Sequence, residues 1–176
     1  MKKTRNCNWI IICSTRNSRK QFSDFLELDK SIQLRCELGY PRADKNGRGF
    51  AVLTEALSIA LIARQYGRQI SLEKVEKAAR SENFASEKKF VSYFSDQGVR
   101  VTKKKITADG VVARPYLFPC VTTLDQLGGV VLTSYSVERE SLSYVDPTNT
   151  SSGSKQLAMD ELREQWGDGV WLASLT

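Results

Sequence analysis

This chain has nucleophiles but nothing to activate them by the usual route. Cysteines stand at 7, 13, 36 and 120, and there is no histidine among the 176 residues. A cysteine or serine nucleophile ordinarily gives its proton to an imidazole, which a third group holds in place. Without histidine the common hydrolytic triads are closed, and so are most zinc sites. No two cysteines have the two-residue spacing of a redox or zinc-finger motif. Cys120 follows Pro119 in an apolar run with no base within sequence reach, so it reads as a buried structural thiol. No paired carboxylate constellation raises Lys or carboxylate catalysis above background. No metal and no cofactor is expected, and the cysteines are expected to be free thiols.

The elements that must position such residues come in two blocks of different character. Residues 1 to 50 hold eleven Lys/Arg against five Asp/Glu, which is the whole net charge of +6; the remaining 126 residues carry fifteen of each sign. The sequence pI of 9.2 thus describes an arm and not the body. Such an arm suits an anionic lipid or nucleic acid, or is simply a solvated leader. Apolar content of 41% and charged content of 26% are those of a globular chain. The longest apolar stretch, Phe50 to Ala63, is shorter than the ~20 residues a bilayer span needs. Asn8 to Cys13 is too short for a signal peptide and is followed at once by Arg16, Arg19 and Lys20, so export is not expected. A turn-rich, charged connector at residues 39 to 49 divides an N-terminal extension and linker, 1–47, from a domain at 48–176.

Within the extension, Trp9 to Ile12 reads as a short strand and Gln21 to Leu28 as a short helix, with Phe22, Phe25 and Leu26 at helical spacing. After the connector, residues 51 to 67 are apolar almost all round, which predicts a helix at the centre of the domain, stopped by Gly67. Ser71 caps a second helix through Ala79, and Ser86 caps a third, with Phe90 and Phe94 on one face and Gly98 at its end. The period then changes to two. Val99 and Val101 alternate with polar neighbours until Lys103-Lys104-Lys105. Tyr116–Thr123, Gly129–Tyr135 and Ser141–Val145 read as strands, the last closed by the Asp146-Pro147 turn signal. Asn149 to Ser154 reads as a polar loop. Met159, Leu162 and Trp166 form a helical stripe ended by Gly167, and Val170 to Ala173 a last strand. Helices first and strands after predict an α+β domain with an antiparallel sheet.

This order, with the short motifs inside it, resembles the N-terminal peptidase domain of bacteriocin exporters, papain-like cysteine peptidases fused to ABC transporters that trim double-glycine leaders. The resemblance rests on ALSIALIARQYG at 56 to 67, ISLEKVEKAA at 70 to 79, FVSYFSDQGVRV at 90 to 101, YLFPCVTTL at 116 to 124, GGVVLTSYS at 128 to 136, SYVDP at 143 to 147 and LAMDELREQWGDGVWLAS at 157 to 174. It covers about 125 residues and nothing before residue 48. It implies a papain-like fold with the N-terminal helices packed on an antiparallel sheet.

The departures from that pattern bear on activity. The family's Asp-Cys-Gly falls on Leu53-Thr54-Glu55, so Thr54 holds the nucleophile's place; the oxyanion glutamine falls near Arg48, and the base histidine falls on Gly128 or Gly129. Of the triad only the aspartate survives, as Asp146. The resemblance therefore implies a pseudo-peptidase with degenerate triad positions Thr54, Gly128 and Asp146. Haemolysin-type exporters carry such a domain, which keeps the peptidase shape and loses the cysteine. The expected role is to recognise or hold a partly unfolded secreted polypeptide for a type I secretion ABC transporter. The partners would be the secreted polypeptide and the membrane and ATPase parts of the exporter. The expected location is cytoplasmic, at the inner membrane where a transporter holds it there. A peptidase cleft is already a groove for an extended peptide. Thr54, Tyr135, Tyr144 and Asp146 are the candidate substrate-binding residues.

Each of these has a plainer reading. Thr54 lines a groove or caps the central helix; Asp146 anchors a peptide or only starts the Asp-Pro turn. Tyr135 and Tyr144 line a cleft or pack inside. Lys103 to Lys105 meet an acidic segment of substrate or form a solvated strand end. Trp9, Trp166 and Trp171 read as core. The rival reading of Ser71 to Lys105 is a winged helix-turn-helix that binds nucleic acid. Against it stand near charge balance, Glu87 at the start of the would-be recognition helix and no cluster suited to base readout.

Overall fold

The axis of the domain is helix α1 (Arg48–Gln65), and its sequence explains its position. Ala56, Leu57, Ile59, Ala60, Ile62 and Ala63 are all at most 2% exposed, so every side of the helix between them is covered by protein. A helix with no polar stripe has no face to offer water. It ends where Gly67 takes φ +87°. There the amide of Gly67 bonds the Arg64 carbonyl and that of Arg68 bonds the Ala63 carbonyl, both at 2.9 Å, the paired closure of a Schellman stop. The structure, a computed structural model, describes residues 48–81 and 84–176. The strand expected at Trp9 to Ile12, the helix at Gln21 to Leu28 and most of the connector lie outside the described residues.

Two short helices buttress α1. Ser71 and Ser86 accept the amides of Lys74 and Lys89 and so cap α2 (Leu72–Ala79) and α3 (Glu87–Ser95) as expected. Phe90 and Phe94 of α3 point inward with Phe84, and the Phe90 ring lies 5.0 Å from that of Trp171 on the last strand. The winged helix-turn-helix is therefore not what forms. Its recognition helix packs inward through buried phenylalanines, and its wing is a strand of the main six-stranded sheet.

That sheet has six strands in the order β1-β6-β2-β3-β4-β5, each pair antiparallel. The strands are β1 (Val99–Lys104), β2 (Cys120–Leu124), β3 (Gly128–Ser136), β4 (Ser141–Val145), β5 (Lys155–Ala158) and β6 (Trp166–Leu175). Both faces of its centre are covered. Val99, Val101, Val121, Val131, Val145 and Trp171 meet α1–α3 on one side. Cys120, Leu124, Val130, Leu132, Leu142, Tyr144, Leu157 and Val170 form a second core on the other. There α4 (Ala108–Val112) and α5 (Met159–Gln165) contribute Ala108, Val111, Met159 and Leu162. Burial on two faces explains why the middle of β3 runs apolar without alternation. The whole is the α+β, papain-like arrangement of helices on an antiparallel sheet.

Four local expectations need correction. The run from Tyr116 does not enter the sheet until Cys120, because Pro115 and Pro119 lack the amide a ladder requires, and residues 115–117 form a 3-10 turn instead. β1 extends through Lys104, since Lys103 and Lys104 pair with Trp171 and Val170. Trp166 does not end a helix; it opens β6, which runs to Leu175, and its indole nitrogen donates to the Ile106 carbonyl at 2.9 Å. α4 and β5, five and four residues long, were not expected, being too short to show a period.

Candidate functional site

The topology brings three things to one end of the sheet. They are the N-terminal turns of α1, the Gly128 end of β3, and the residues just past Val145 of β4, which pairs with Val131. Thr54 and Gly128 converge there. A Cβ built on Gly128 would stand 2.5 Å from Thr54 Oγ1 and 3.0 Å from Phe50 Cε1, and Gly128 has φ +71°. Gly129 is held still more closely. Its amide donates to Thr54 Oγ1 at 2.7 Å, and its carbonyl accepts from Ser58 Oγ at 3.1 Å. Thr54 and Ser58 are one helical turn apart, so a single face of α1 takes both backbone groups of one strand residue. A Cβ at Gly129 would run into the Glu55 main chain. No side chain fits at 128 or 129 while α1 lies where it does.

This geometry revises the role expected of Thr54. It is in the second turn of a helix that begins at Arg48, so it is not the cap. Its hydroxyl donates to the carbonyls of Phe50 and Ala51 (2.9 and 3.0 Å), and the side chain is 0% exposed. Its one hydrogen is shared between those carbonyls, it accepts from Gly129, and the side chain is wholly covered, so Thr54 does not face a groove. Asp146 is similarly occupied. One carboxylate oxygen accepts from the Thr148 amide at 2.9 Å and the Thr148 hydroxyl at 2.6 Å; the other lies 3.6 Å from Lys155 Nζ. Those contacts are the Asx turn that the Asp-Pro pair predicts. Tyr144 belongs to the second core and Tyr135 packs against it, on the sheet face opposite α1. Thr54, Tyr135, Tyr144 and Asp146 therefore do not line one cleft, because the sheet lies between the tyrosines and the helix.

Beside Thr54, Glu55 makes a polar contact that sequence reasoning missed. Its carboxylate accepts a short hydrogen bond from the Thr123 hydroxyl of β2. Burial is the largest influence on this carboxyl and raises its pKa above 4.5, against the lowering effects of Thr123, the Trp171 indole and Lys103. The Trp171 N–H faces the carboxylate but falls short of a hydrogen bond and is otherwise buried without a partner. Lys103 Nζ lies 5.4 Å above the Trp171 ring and 2.9 Å from Asp168. A lone acid inside an otherwise apolar helix was the available signal; its partners, on three strands, had none.

Cys120 stands at the far end of β2 from this site, opposite Leu132, and is fully buried. Burial pushes its thiol up to about 12. The native protein should leave this thiol unmodified by iodoacetamide at pH 8, and denaturant should expose it. Peptide mapping distinguishes Cys120 from the other cysteines, and native labelling at 120 would refute its burial.

No protein-family model and no curated relative matches the chain, but solved structures do. A double glycine motif protease from an AMS/PCAT transporter, in complex with the leader peptide, superposes with a TM-score of 0.57 at 17% identity, over 70% of this chain and 86% of that one. The N-terminal peptidase C39 like domain of the toxin secretion ATP-binding protein from Vibrio parahaemolyticus gives 0.56 at 14%, over 71% and 97%. The peptidase domain of Streptococcus ComA, a bi-functional ABC transporter of a quorum sensing pathway, gives 0.55 at 15%, over 77% and 96%. What this chain shares with them is a fold: that of the peptidase C39-like domains of ABC transporters.

Proposed function

We propose that this domain holds an extended, unfolded polypeptide destined for export through an ABC transporter, and that it does not cut it. The observation that carries this reading is the 2.7 Å bond between the Gly129 amide and Thr54 Oγ1. At the positions that correspond to nucleophile and base, a threonine hydroxyl is spent on backbone bonds and two glycines leave no room for an imidazole. An acyl transfer of the papain kind needs a thiolate and a base beside it; neither is supplied by Thr54, Gly128 and Asp146. A similar domain was solved with a leader peptide bound, which supports retaining the peptide-binding half of the activity. Among the described residues no helix is long and apolar enough to cross a membrane, so the transporter's membrane part would be supplied by another segment or another chain. The domain would then act on the cytoplasmic side, at the inner membrane.

Two measurements on the whole chain test this. Incubation with casein or a double-glycine leader peptide should give no fragments above a protein-free control. Pull-down should retain an unfolded polypeptide and release it when that polypeptide folds. Cleavage blocked by iodoacetamide would overturn the reading, as would equal affinity for the folded and unfolded forms.

A further inference from the structure

The site at Thr54 is closed, so a held polypeptide needs another surface. Resting on the proposed polypeptide-holding role, we infer that the outer edge of β1, with the groove at its end, takes an extended segment rich in Asp and Glu. Among the described residues no strand pairs with that edge, since β1 is the first strand of the sheet order. An unpaired edge presents main-chain donors and acceptors at every second residue, a template for an added strand.

Side chains on the strip set the sign of the partner. Val99 and Val101 turn toward the helices, while Arg100, Thr102 and Lys104 are exposed. Among the described residues, Arg100, Lys104 and the exposed Lys105 have no carboxylate within ion-pair distance. The nearby acid, Asp168, is already held by Lys103 at 2.9 Å. Arg100, Lys104 and Lys105 therefore outnumber the one acid beside them, Asp168, whose charge Lys103 and Lys105 share. Four strand residues separate Arg100 and Lys104 by roughly 13 Å, so carboxylates four apart on one face of an extended peptide meet both. Past Lys104 the strip opens into a groove of about 390 Å³, lined by Lys105, Ile106, Thr107, Trp166, Gly167 and Asp168. Ile106 and Trp166 give this shallow groove its apolar contacts, on which an apolar side chain following the acidic run can rest.

The same charges argue against other occupants. Outside the short acidic run Asp24 to Asp29, residues 1 to 47 carry ten Lys/Arg against two Asp/Glu and would be repelled. A second copy adding antiparallel through β1 would set cations against cations. A nucleic acid would satisfy the charges but not the main-chain edge, and it serves as a competitor in the test.

The test uses the full chain and fluorescence anisotropy. The probes are a peptide with Asp at alternate positions and a Phe beyond them, its Lys-for-Asp counterpart, duplex DNA, and an unfolded polypeptide of balanced charge. The Asp peptide should bind and the Lys peptide should not. Arg100→Glu with Lys104→Glu should weaken binding by roughly tenfold or more, as two exposed attractions become repulsions. Thr102→Lys, on the same exposed strip, should tighten it. Circular dichroism reports whether each variant keeps its fold. Equal binding to both peptides, no response to either variant, or tighter binding of DNA would overturn the inference. If the balanced polypeptide binds wild type and charge-reversed protein alike, polypeptide holding stands and this edge is not its site. If no peptide or polypeptide binds at all, both proposals fall.

Discussion

Gly129→Ala is expected to destabilise the domain by about 3 kcal/mol, the upper end of what overpacking a tight contact costs. The added methyl meets the main chain of Glu55, which cannot swing aside as a side-chain tip would. Relief requires α1 to lift from β3, and lifting breaks both bonds that Gly129 makes, to Thr54 and to Ser58. The backbone of Gly129 is not in the left-handed region, so conformational strain does not contribute. Gly49→Ala is the control. A Cβ there meets nothing within 4 Å, and alanine suits a helix, so the change should stay within about 0.5 kcal/mol of neutral or stabilise. Thr54→Val keeps the shape but leaves the buried Gly129 amide unpaired, which costs about 1–3 kcal/mol; Thr54→Ser should recover most of that. Because Gly129→Ala already parts the two groups, adding Thr54→Val to it should cost less than the single change. Urea midpoints for the set decide the matter. Full additivity, or a Gly129→Ala protein as stable as wild type, would show that α1 does not press on β3.

The meeting of α1 and β3 was half legible. The order of helices and strands, aligned with a known pattern, predicts that Thr54 and Gly128 approach each other, and they do. What it does not predict is how closely. Gly129 reads as the first residue of a strand, and only the approach of α1 in three dimensions shows that no side chain fits at either glycine. The same limit explains the reversal at Tyr144. Strand alternation says that Tyr144 and Val145 face opposite ways, but which face is the helix side depends on register, and that is not a local property. Ser71, Ser86 and Gly67 were read correctly because caps and stops are written in single residues with a mechanism. α4, β5 and the entry of Trp166 into a strand were not: the five residues of α4 span under two helical turns, the four of β5 only two strand alternations, and Trp166 continues the helical spacing of Met159 and Leu162. Nothing in the sequence pairs Glu55 with Thr123, since they are brought together only when α1 lies across β2.

Glu55 then supplies the second expected result: Glu55→Gln should raise stability at pH 7, and the gain should depend on pH. Burial raises this carboxyl's pKa in the folded protein above the 4.5 of an exposed glutamate. The folded state therefore binds its proton more tightly than the unfolded chain does. Below pH 4.5 both states are protonated and the group has no adverse effect. As pH rises from there through the folded pKa, the unfolded state releases the proton first, and stability falls. Above the folded pKa the loss is complete and constant. A glutamine has no proton to lose and keeps a side-chain oxygen for the Thr123 hydroxyl. The difference between variant and wild type should be small below pH 4.5, grow upward from it, and level off. Asp168 titrates in both proteins, its pKa lowered chiefly by Lys103, so its effect cancels to first order in the difference. Chemical denaturation from pH 4 to 8 measures the curve. If glutamine lowers stability at pH 7, then Lys103, Trp171 and Thr123 outweigh the burial of the charge. The carboxylate would then be a net tie between α1 and the sheet. If it raises stability, the domain carries a buried charge that its fold does not need, one residue from the Thr54–Gly129 bond.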